Sequence, residues 1–248
     1  MSILLLDVGN SRLKWVAVPA LDAALPPARA MTHDGAPADA IAALASSWQG
    51  AAPHAVYIAH VTGGAHELAL TQAVQRGLHC QPQFARSSLA CGGLISAYSE
   101  PSRLGVDRWL AMLSVWTRTR HAFSVACAGT ALTFDAVSDG GQHQGGVIAP
   151  GLATMIDATL GRTRFAVGPM DAGFDTGLGR DTEACVRQGA LHATAGLLER
   201  LAARHDGPKV LAGGDASTLQ PHLAATWQVE PDLVLQGLTV WARLASGD

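Results

Sequence analysis

Short apolar runs and alternating patterns dominate the beginning of the chain. A continuous apolar run starts at Ile3 and ends in the sequence Asp-Val-Gly-Asn at residues 7–10, which predicts a buried strand followed by a turn. Residues 13–17 then alternate, which predicts a second strand. The chain is therefore predicted to open with a β-hairpin whose tip lies at residues 9–11.

Further along the chain, the same patterns predict strands that alternate with helices. Residues 123–137 form a second predicted hairpin, with Ala128-Gly129-Thr130 at its bend. Asp181 stands where a long helix can begin, because aspartate is a favoured N-cap. This alternation is typical of α/β proteins. The other predicted elements are strands at 55–60, 145–149 and 210–212 and helices at 38–48, 64–76, 104–118, 181–204 and 231–245.

The strand-turn-strand opening thus occurs twice, from residue 3 and again from residue 123. This repeat predicts two similar α/β halves with a cleft between them, where ligands commonly bind. We place the predicted boundary near residue 120, which gives domains of residues 1–119 and 120–248.

Composition and charge argue against several classes of protein. Of the 248 residues, 48% are hydrophobic and 15% are charged, which argues against disorder. The net charge is −3 and no basic stripe exists, which argues against a nucleic-acid partner. No signal peptide or membrane span is predicted, so we expect a cytoplasmic protein. Four cysteines without CxxC spacing and ten histidines without HExxH argue against a structural metal site.

The first candidate site is the opening turn, residues 7–14. Glycine lets the backbone approach a phosphate closely, and the turn amides, the Ser11 hydroxyl and the Lys14 ammonium can contact phosphate oxygens. Asp7 could hold the cation that accompanies a nucleotide. An ordinary hairpin turn with a solvated lysine explains the same residues. The chain lacks both the P-loop motif and GxGxxG, which argues against a P-loop or Rossmann site.

Two further glycine turns are weaker candidates. Gly129-Thr130, with Thr133 and Asp135 beyond it, offers amides and a hydroxyl for a second phosphate contact that faces the first turn. Gly213-Gly214 follows a predicted strand and could let a nucleoside lie flat against the backbone. A simple turn explains this pair equally well.

The third candidate is Gly105-Val106-Asp107-Arg108 at a predicted helix start, with Tyr98 shortly before it. An aspartate next to an arginine has two interpretations. One is helix capping with a surface ion pair, and spacing alone favours it. The other is a general base next to a cationic anchor for a carboxylate substrate.

Taken together and in this order, these motifs resemble those of the type III pantothenate kinases. The resemblance implies the actin-like, ribonuclease H-like fold of the acetate and sugar kinase, heat-shock ATPase and actin superfamily. It implies phosphorylation of pantothenate by ATP, the first step of coenzyme A synthesis. The matching pieces, which span nearly the whole chain, are residues 7–11 with Lys14, Tyr98, residues 105–108, residues 129–131, residues 145–151 and residues 180–182.

The resemblance also implies roles for individual residues. Asp107 would be the catalytic base. Thr182 would contact pantothenate from the partner subunit, so a homodimer is expected. The residues that would bind ATP with Mg²⁺ are Asp7, Val8, Gly9, Asn10, Ser11, Arg12, Leu13, Lys14 and Thr130. The residues that would bind pantothenate are Tyr98, Gly105, Val106, Asp107, Arg108 and Thr182.

The chain departs from the family pattern at two places. Family members commonly carry an aspartate three residues before the threonine of the Gly-Thr turn, where it binds K⁺ or NH₄⁺. Here that residue is Cys127, and a neutral thiol is a poor ligand for such a cation. The sequence Gly-Arg-Asp-Thr at residues 179–182 replaces the usual Gly-Lys-Asn-Thr, which changes the local charge.

These features predict in-line transfer of the ATP γ-phosphoryl group to the primary hydroxyl of pantothenate, with Asp107 accepting the proton. Two alternatives stay open at this point. The chain could be another small-acid or sugar kinase of the same superfamily. It could also be a nucleotide-binding regulatory accessory factor, since relatives have carried that label.

Overall fold

The computed structural model describes residues 2–162, 173–174, 176–224 and 226–246. The chain divides into two compact units. The first consists of Met1–Arg118 together with Asp232–Asp248, and the second consists of Thr119–Pro231. The division near residue 118 lies close to the predicted boundary, whereas the last segment joins the first unit and not the second.

The first unit is built on a five-stranded sheet. Its strands are β1 (Ile3–Val8), β2 (Arg12–Val18), β3 (Arg29–Thr32), β4 (Ala55–His60) and β5 (Pro82–Phe84), in the order β3-β2-β1-β4-β5. β2 runs antiparallel to β1 and to β3, while β1, β4 and β5 are parallel. A small hairpin, β6 (Ala90–Cys91) and β7 (Leu94–Ile95), follows. The helices in this part of the chain are α1 (Pro37–Ser46), α2 (Gly64–Leu78) and α3 (Val106–Thr119).

Burial explains why β1 is the central strand of this sheet. Leu4, Leu5 and Leu6 have no exposed surface, because β1 is covered on both faces. A strand that is buried on both faces is expected to read as a continuous apolar run rather than an alternating one. Ile41 of α1 and Val74 of α2 belong to the same buried cluster as Leu4 and Leu6.

The second unit repeats this arrangement. Its strands are β8 (Phe123–Ala128), β9 (Ala131–Val137), β10 (His143–Pro150), β11 (Lys209–Ala212) and β12 (Trp227–Val229), in the order β10-β9-β8-β11-β12. The helices are α4 (Leu152–Arg162), α5 (Thr182–Ala202) and α6 (Ala216–Leu219). Strand for strand, the order and the directions match those of the first sheet. The predicted α/β class with two similar halves is confirmed.

The last helix, α7 (Leu233–Ser246), belongs to the first unit because it packs against the sheet and a helix of that unit. It contacts β1 and β4, and the Ser114 hydroxyl of α3 donates a hydrogen bond of 3.0 Å to Gln236. A Cβ atom on Gly237 would lie 2.0 Å from the carbonyl oxygen of Leu110, so α7 and α3 pack backbone to backbone there. Hydrophobic periodicity predicted this helix correctly but could not show which sheet it covers.

The predicted elements agree well with the structure. Both hairpins, the helices and the N-cap of the long helix are confirmed. Asp181 accepts a hydrogen bond of 2.7 Å from the backbone N–H of Ala184. Seven of the described elements were missed, namely β3, β5, β6, β7, β12, α4 and α6, of which the five strands have only two to four residues each. Among the described helices, none combines the length and apolarity that a membrane span requires.

Candidate active site

The turn between β1 and β2 is closed by a backbone hydrogen bond and has an exposed tip. The N–H of Gly9 donates a hydrogen bond of 2.9 Å to the carbonyl oxygen of Arg12, which closes the turn. Asn10, Ser11 and Arg12 are exposed to solvent. A Cβ atom on Gly9 would lie 3.3 Å from that same carbonyl oxygen, so the turn is tight. The tip therefore presents exposed backbone and side-chain donors to a ligand.

His33 supports this turn from beneath, and the sequence patterns did not single it out. Its backbone N–H donates to the carbonyl oxygen of Ser11 at 2.9 Å. Its ring Nε2 lies 3.1 Å from the carbonyl oxygen of Gly9. The side chain is buried, and none of the described residues offers a hydrogen-bond partner to Nδ1. One buried residue thus fixes two carbonyl groups of the turn, a contact that only tertiary structure reveals.

Asp7 and Lys14 face each other across the hairpin. They are direct partners in the register of β1 and β2, so their side chains lie on the same face of the sheet. The Lys14 ammonium donates to an Asp232 carboxylate oxygen at 3.2 Å. Asp232 lies just before α7 and was not a predicted site residue. Its other oxygen accepts from the backbone N–H of Ala28 at 3.4 Å.

The pKa of Asp7 reflects both the burial of its carboxylate and the charges around it. The pKa of Asp7 is raised from its ordinary value of 3.8 to about 7. Burial is the largest cause, because it removes water from the carboxylate. The negative charge of Asp107 raises the pKa further, the Lys14 ammonium opposes the shift, and Asp232 adds to it. Asp7 and Asp107, 100 positions apart in sequence, therefore belong to one charged site.

The start of α3 places Asp107 and Arg108 differently from a surface ion pair. Arg108 is only 4% exposed, and its guanidinium donates to the Tyr98 hydroxyl at 3.2 Å. An Asp107 carboxylate oxygen accepts from the backbone N–H of Arg108 at 2.8 Å. A Cβ atom on Gly105 would lie 2.6 Å from this oxygen, so the glycine leaves room for the carboxylate. The interpretation as an exposed ion pair is wrong, because the arginine is buried.

The turn between β8 and β9 is held by different contacts. The N–H of Gly129 donates to the carbonyl oxygen of Ala131 at 3.1 Å. The carbonyl oxygen of Thr130 accepts from the Gly151 N–H at 3.1 Å and from the Thr154 hydroxyl at 2.7 Å. Thr130 itself is exposed. This turn is therefore pinned by the start of α4 while its threonine stays accessible.

Thr133 and Asp135, which follow the second turn in β9, are enclosed within the second unit. Asp135 is 1% exposed, and one of its carboxylate oxygens lies 2.9 Å from Nε2 of the buried His143. Thr133 is buried as well. The accessible part of this candidate is therefore the turn itself, with Thr130.

The turn at Gly213 has a structural explanation. Its φ is +101°, and a Cβ atom there would lie 2.0 Å from the carbonyl oxygen of Ala128. The same carbonyl oxygen accepts from the N–H of Asp215 at 3.1 Å. Gly213 is therefore required by the close approach of the ends of β8 and β11, whatever ligand lies nearby.

Thr182 is the first residue of α5 and lines a cavity of about 1000 Å³ in the second unit. Asp181, Arg180 and Met155 line the same cavity. Neither Tyr98 nor residues 105–108 line it, since all of them belong to the first unit. The pantothenate residues predicted from the resemblance are thus divided between the two units.

Cys127 lies in β8, where the family resemblance expects an aspartate. It is the register partner of Thr133, and its side chain is half-buried. Within the described part of the chain, no group of three or more histidine, cysteine or acidic residues is arranged to hold a metal ion. The donor set at this position does not fit a monovalent cation, because it offers a thiol in place of a carboxylate.

Solved structures with low sequence identity share this fold. A protein described as a Baf family transcriptional activator from Campylobacter jejuni has a TM-score of 0.63 and 18% identity, with 99% of this chain and 100% of that chain covered. A protein described as a 2-dehydro-3-deoxygalactonokinase from Sinorhizobium meliloti has a TM-score of 0.62 and 14% identity, with 97% and 96% covered. These similarities confirm the actin-like fold.

Curated relatives are similar along their whole length. A type III pantothenate kinase from Cellvibrio japonicus is 34% identical over 256 residues, with 99% of both chains covered. A type III pantothenate kinase from Halorhodospira halophila is 34% identical over 248 residues, with 97% of both chains covered. The profile of the type III pantothenate kinase family matches residues 3–204. By this match and these identities, the chain belongs to the type III pantothenate kinase family.

Proposed function

We propose that this protein transfers the γ-phosphoryl group of ATP to the primary hydroxyl of pantothenate, the first step of coenzyme A biosynthesis. The observation that carries this proposal is the similarity to pantothenate kinases over 99% of the chain. The grouping of Asp7, Lys14 and Asp107 in one charged site supports it, because a phosphotransferase needs a cation-binding carboxylate, a phosphate-binding cation and a base.

ATP phosphates would bind at residues 7–14 and at Thr130. The exposed tip of the first turn offers donors to phosphate oxygens, and Lys14 adds a positive charge. The exposed Thr130 hydroxyl would give a further contact from the second unit.

Pantothenate would bind next to Asp107 and Arg108. Arginine recognises carboxylates through a planar fork of donors, and Arg108 is buried beside Tyr98 as such an anchor requires. Asp107 would orient the hydroxyl of pantothenate and accept its proton late in the transfer. Thr182 would complete the pantothenate site from the partner subunit of a homodimer, as the family resemblance implies.

Mg²⁺ fits the donor set in the first unit. Mg²⁺ is usually held by one or two carboxylates plus substrate phosphates and waters. The negative charges of Asp107 and Asp232 disfavour the ionised form of Asp7, and a bound cation would offset this repulsion. Mg²⁺ bound with ATP would supply neutralisation of phosphate charge. A K⁺ or NH₄⁺ requirement is not part of our proposal, since Cys127 replaces the expected carboxylate.

The predicted setting of the reaction is also part of the proposal. We place the enzyme in the cytoplasm, where ATP is available as a substrate. Its proposed partners are pantothenate, ATP and a second copy of the chain, with no role for nucleic acid or a membrane. Sedimentation of the purified protein tests the dimer, and a monomer at working concentration would contradict that part alone.

The deciding experiment measures ADP release with Mg²⁺ and ATP, with and without pantothenate. ADP release that depends on pantothenate supports the proposal, and mass spectrometry should identify 4′-phosphopantothenate as the product. A panel of sugars and other small hydroxy acids serves as the specificity control. ADP release with one of these and not with pantothenate would identify a different kinase of the superfamily. Binding of ATP without turnover on any acceptor would favour a regulatory binding protein.

A further inference from the structure

Asp232 has a backbone conformation that is uncommon outside glycine. Its φ is 59°, in the left-handed region that non-glycine residues rarely adopt. After glycine, asparagine and aspartate tolerate this region best, because their short polar side chains can form hydrogen bonds. The contacts of the Asp232 side chain are therefore of interest.

The side chain of Asp232 connects three distant segments of the first unit. One carboxylate oxygen accepts from the Lys14 ammonium in β2 at 3.2 Å. The other lies 3.4 Å from the backbone N–H of Ala28, just before β3. The side chains of Lys14 and Asp232 are 27% and 20% exposed, so the pair is shielded from most of the solvent.

We infer that Asp232 is a positioning residue that holds the Lys14 ammonium in place for the phosphate chain of ATP. This inference rests on the proposed function, in which Lys14 binds phosphate. An ammonium has three N–H donors, and Asp232 takes up one of them at 3.2 Å. The remaining donors can then meet a phosphate without the four-carbon side chain first losing its freedom.

A purely structural role for Asp232 makes a different prediction, and two substitutions separate the roles. Asp232→Asn removes the charge but keeps an acceptor for Ala28 and a residue suited to the left-handed region. Asp232→Gly removes both contacts and relieves the backbone. If the side chain only supports the start of α7, the glycine variant should melt at a lower temperature than the asparagine variant, and the asparagine variant should be fully active.

The test is a double-mutant cycle with Lys14→Met, measured by pantothenate-dependent ADP release. We expect kcat to fall about tenfold in both Asp232 variants, with the KM for ATP raised by about threefold and melting temperatures unchanged. The double variant Lys14→Met/Asp232→Asn should be no slower than Lys14→Met alone. The exposed Asp22→Asn, which changes the net charge equally, is the control and should match wild type.

Two outcomes would overturn the inference. One is wild-type kcat in the Asp232 variants. The other is a double variant whose loss equals the product of the two single losses, because Asp232 would then act independently of Lys14.

A second readout separates this inference from the proposed function. If wild-type protein releases no ADP with pantothenate, the proposed function fails. The double-mutant cycle is then measured through the affinity for a non-hydrolysable ATP analogue, determined by calorimetry. Non-additive losses there support positioning of Lys14 by Asp232 without kinase activity. Additive losses, or analogue affinities that do not change in the Asp232 variants, contradict it.

Discussion

The two hairpin turns occupy the same place in the two sheets, yet their chemistry differs. In the first sheet the second residue pair from the turn is Asp7 with Lys14, which are register partners. In the second sheet the equivalent register partners are Cys127 and Thr133. The repeated topology therefore carries a charged pair in one unit and a neutral pair in the other.

The supports beneath the two turns differ in the same way. His33 holds the carbonyl groups of Gly9 and Ser11 in the first turn. The second turn is held by the backbone of Gly151 and the hydroxyl of Thr154. The acidic residue of the second hairpin, Asp135, is enclosed with His143. A shared backbone can thus be kept while the charge needed for phosphate transfer is concentrated in one unit.

The largest effect is expected from removing Asp107, the proposed base in the first unit, whose hairpin carries the charged pair. Asp107→Asn keeps the size of the side chain and an oxygen that can accept the Arg108 N–H. We expect kcat to fall about 10²–10⁴-fold, the range typical of general-base catalysis, while ATP affinity changes little. Steady-state kinetics with calorimetry of ATP binding checks both. Near-normal turnover would remove Asp107 from the role of base.

Gly9 in the first turn and Gly151, which holds the second turn through the carbonyl oxygen of Thr130, offer a comparison of stability. A Cβ atom on Gly151 would lie 1.8 Å from the carbonyl oxygen of Gly129, whereas one on Gly9 would lie 3.3 Å from that of Arg12. Gly151→Ala should therefore lower the free energy of unfolding by about 3 kcal/mol, because the backbone must shift. Gly9→Ala should cost about 1 kcal/mol or less. Urea denaturation of both variants measures the difference, and equal losses would show that the second turn relaxes freely.

In the first unit, a substitution of Arg108 should change the KM for pantothenate without an equal change in the KM for ATP. Arg108→Ala removes the proposed partner of the pantothenate carboxylate, and a charged hydrogen bond of about 1.5–3 kcal/mol corresponds to roughly a 10–100-fold rise in KM. The KM for ATP should change far less. Arg118→Ala, a nearby arginine outside the proposed site, is a suitable control for the loss of one positive charge. Similar rises in both KM values would contradict the assignment of Arg108 to pantothenate.

Local sequence patterns predicted the two turns well because the information lies in contiguous residues. The apolar run before Asp7 and the glycine after it are enough to predict a buried strand and a tight turn. Asp232 and His33 could not be found in this way. Each acts on a segment far away in sequence, and their contacts depend on where α7 and β3 pack. For the same reason the sequence could not show that α7 belongs to the first unit, since periodicity does not identify the sheet against which a helix packs.

The charged pair of the first hairpin also predicts that the stability of the protein depends on pH, because it contains Asp7. The pKa of Asp7 is raised in the folded protein to about 7, above its ordinary value of 3.8, so the folded state binds this proton more tightly than the unfolded state. The resulting stabilisation is fully present below about pH 4 and is lost as the pH rises through about 7. The loss should be on the order of a few kcal/mol, because each unit of difference between the folded and the unfolded pKa corresponds to about 1.4 kcal/mol.

Asp7→Asn tests this dependence, because it removes the titrating group and leaves the hairpin register in place. In metal-free buffer, the unfolding free energy of wild type should fall relative to that of the variant as the pH rises from about 4 to about 7. Asp22→Asn, an exposed aspartate of the same unit, should show no such trend. Added Mg²⁺ and ATP should reduce the trend in wild type, since a bound cation favours the ionised carboxylate. A flat difference between wild type and Asp7→Asn would mean that Asp7 is as well hydrated as the tip of its turn, and the contrast between the charged and the neutral hairpin would then rest on Lys14 alone.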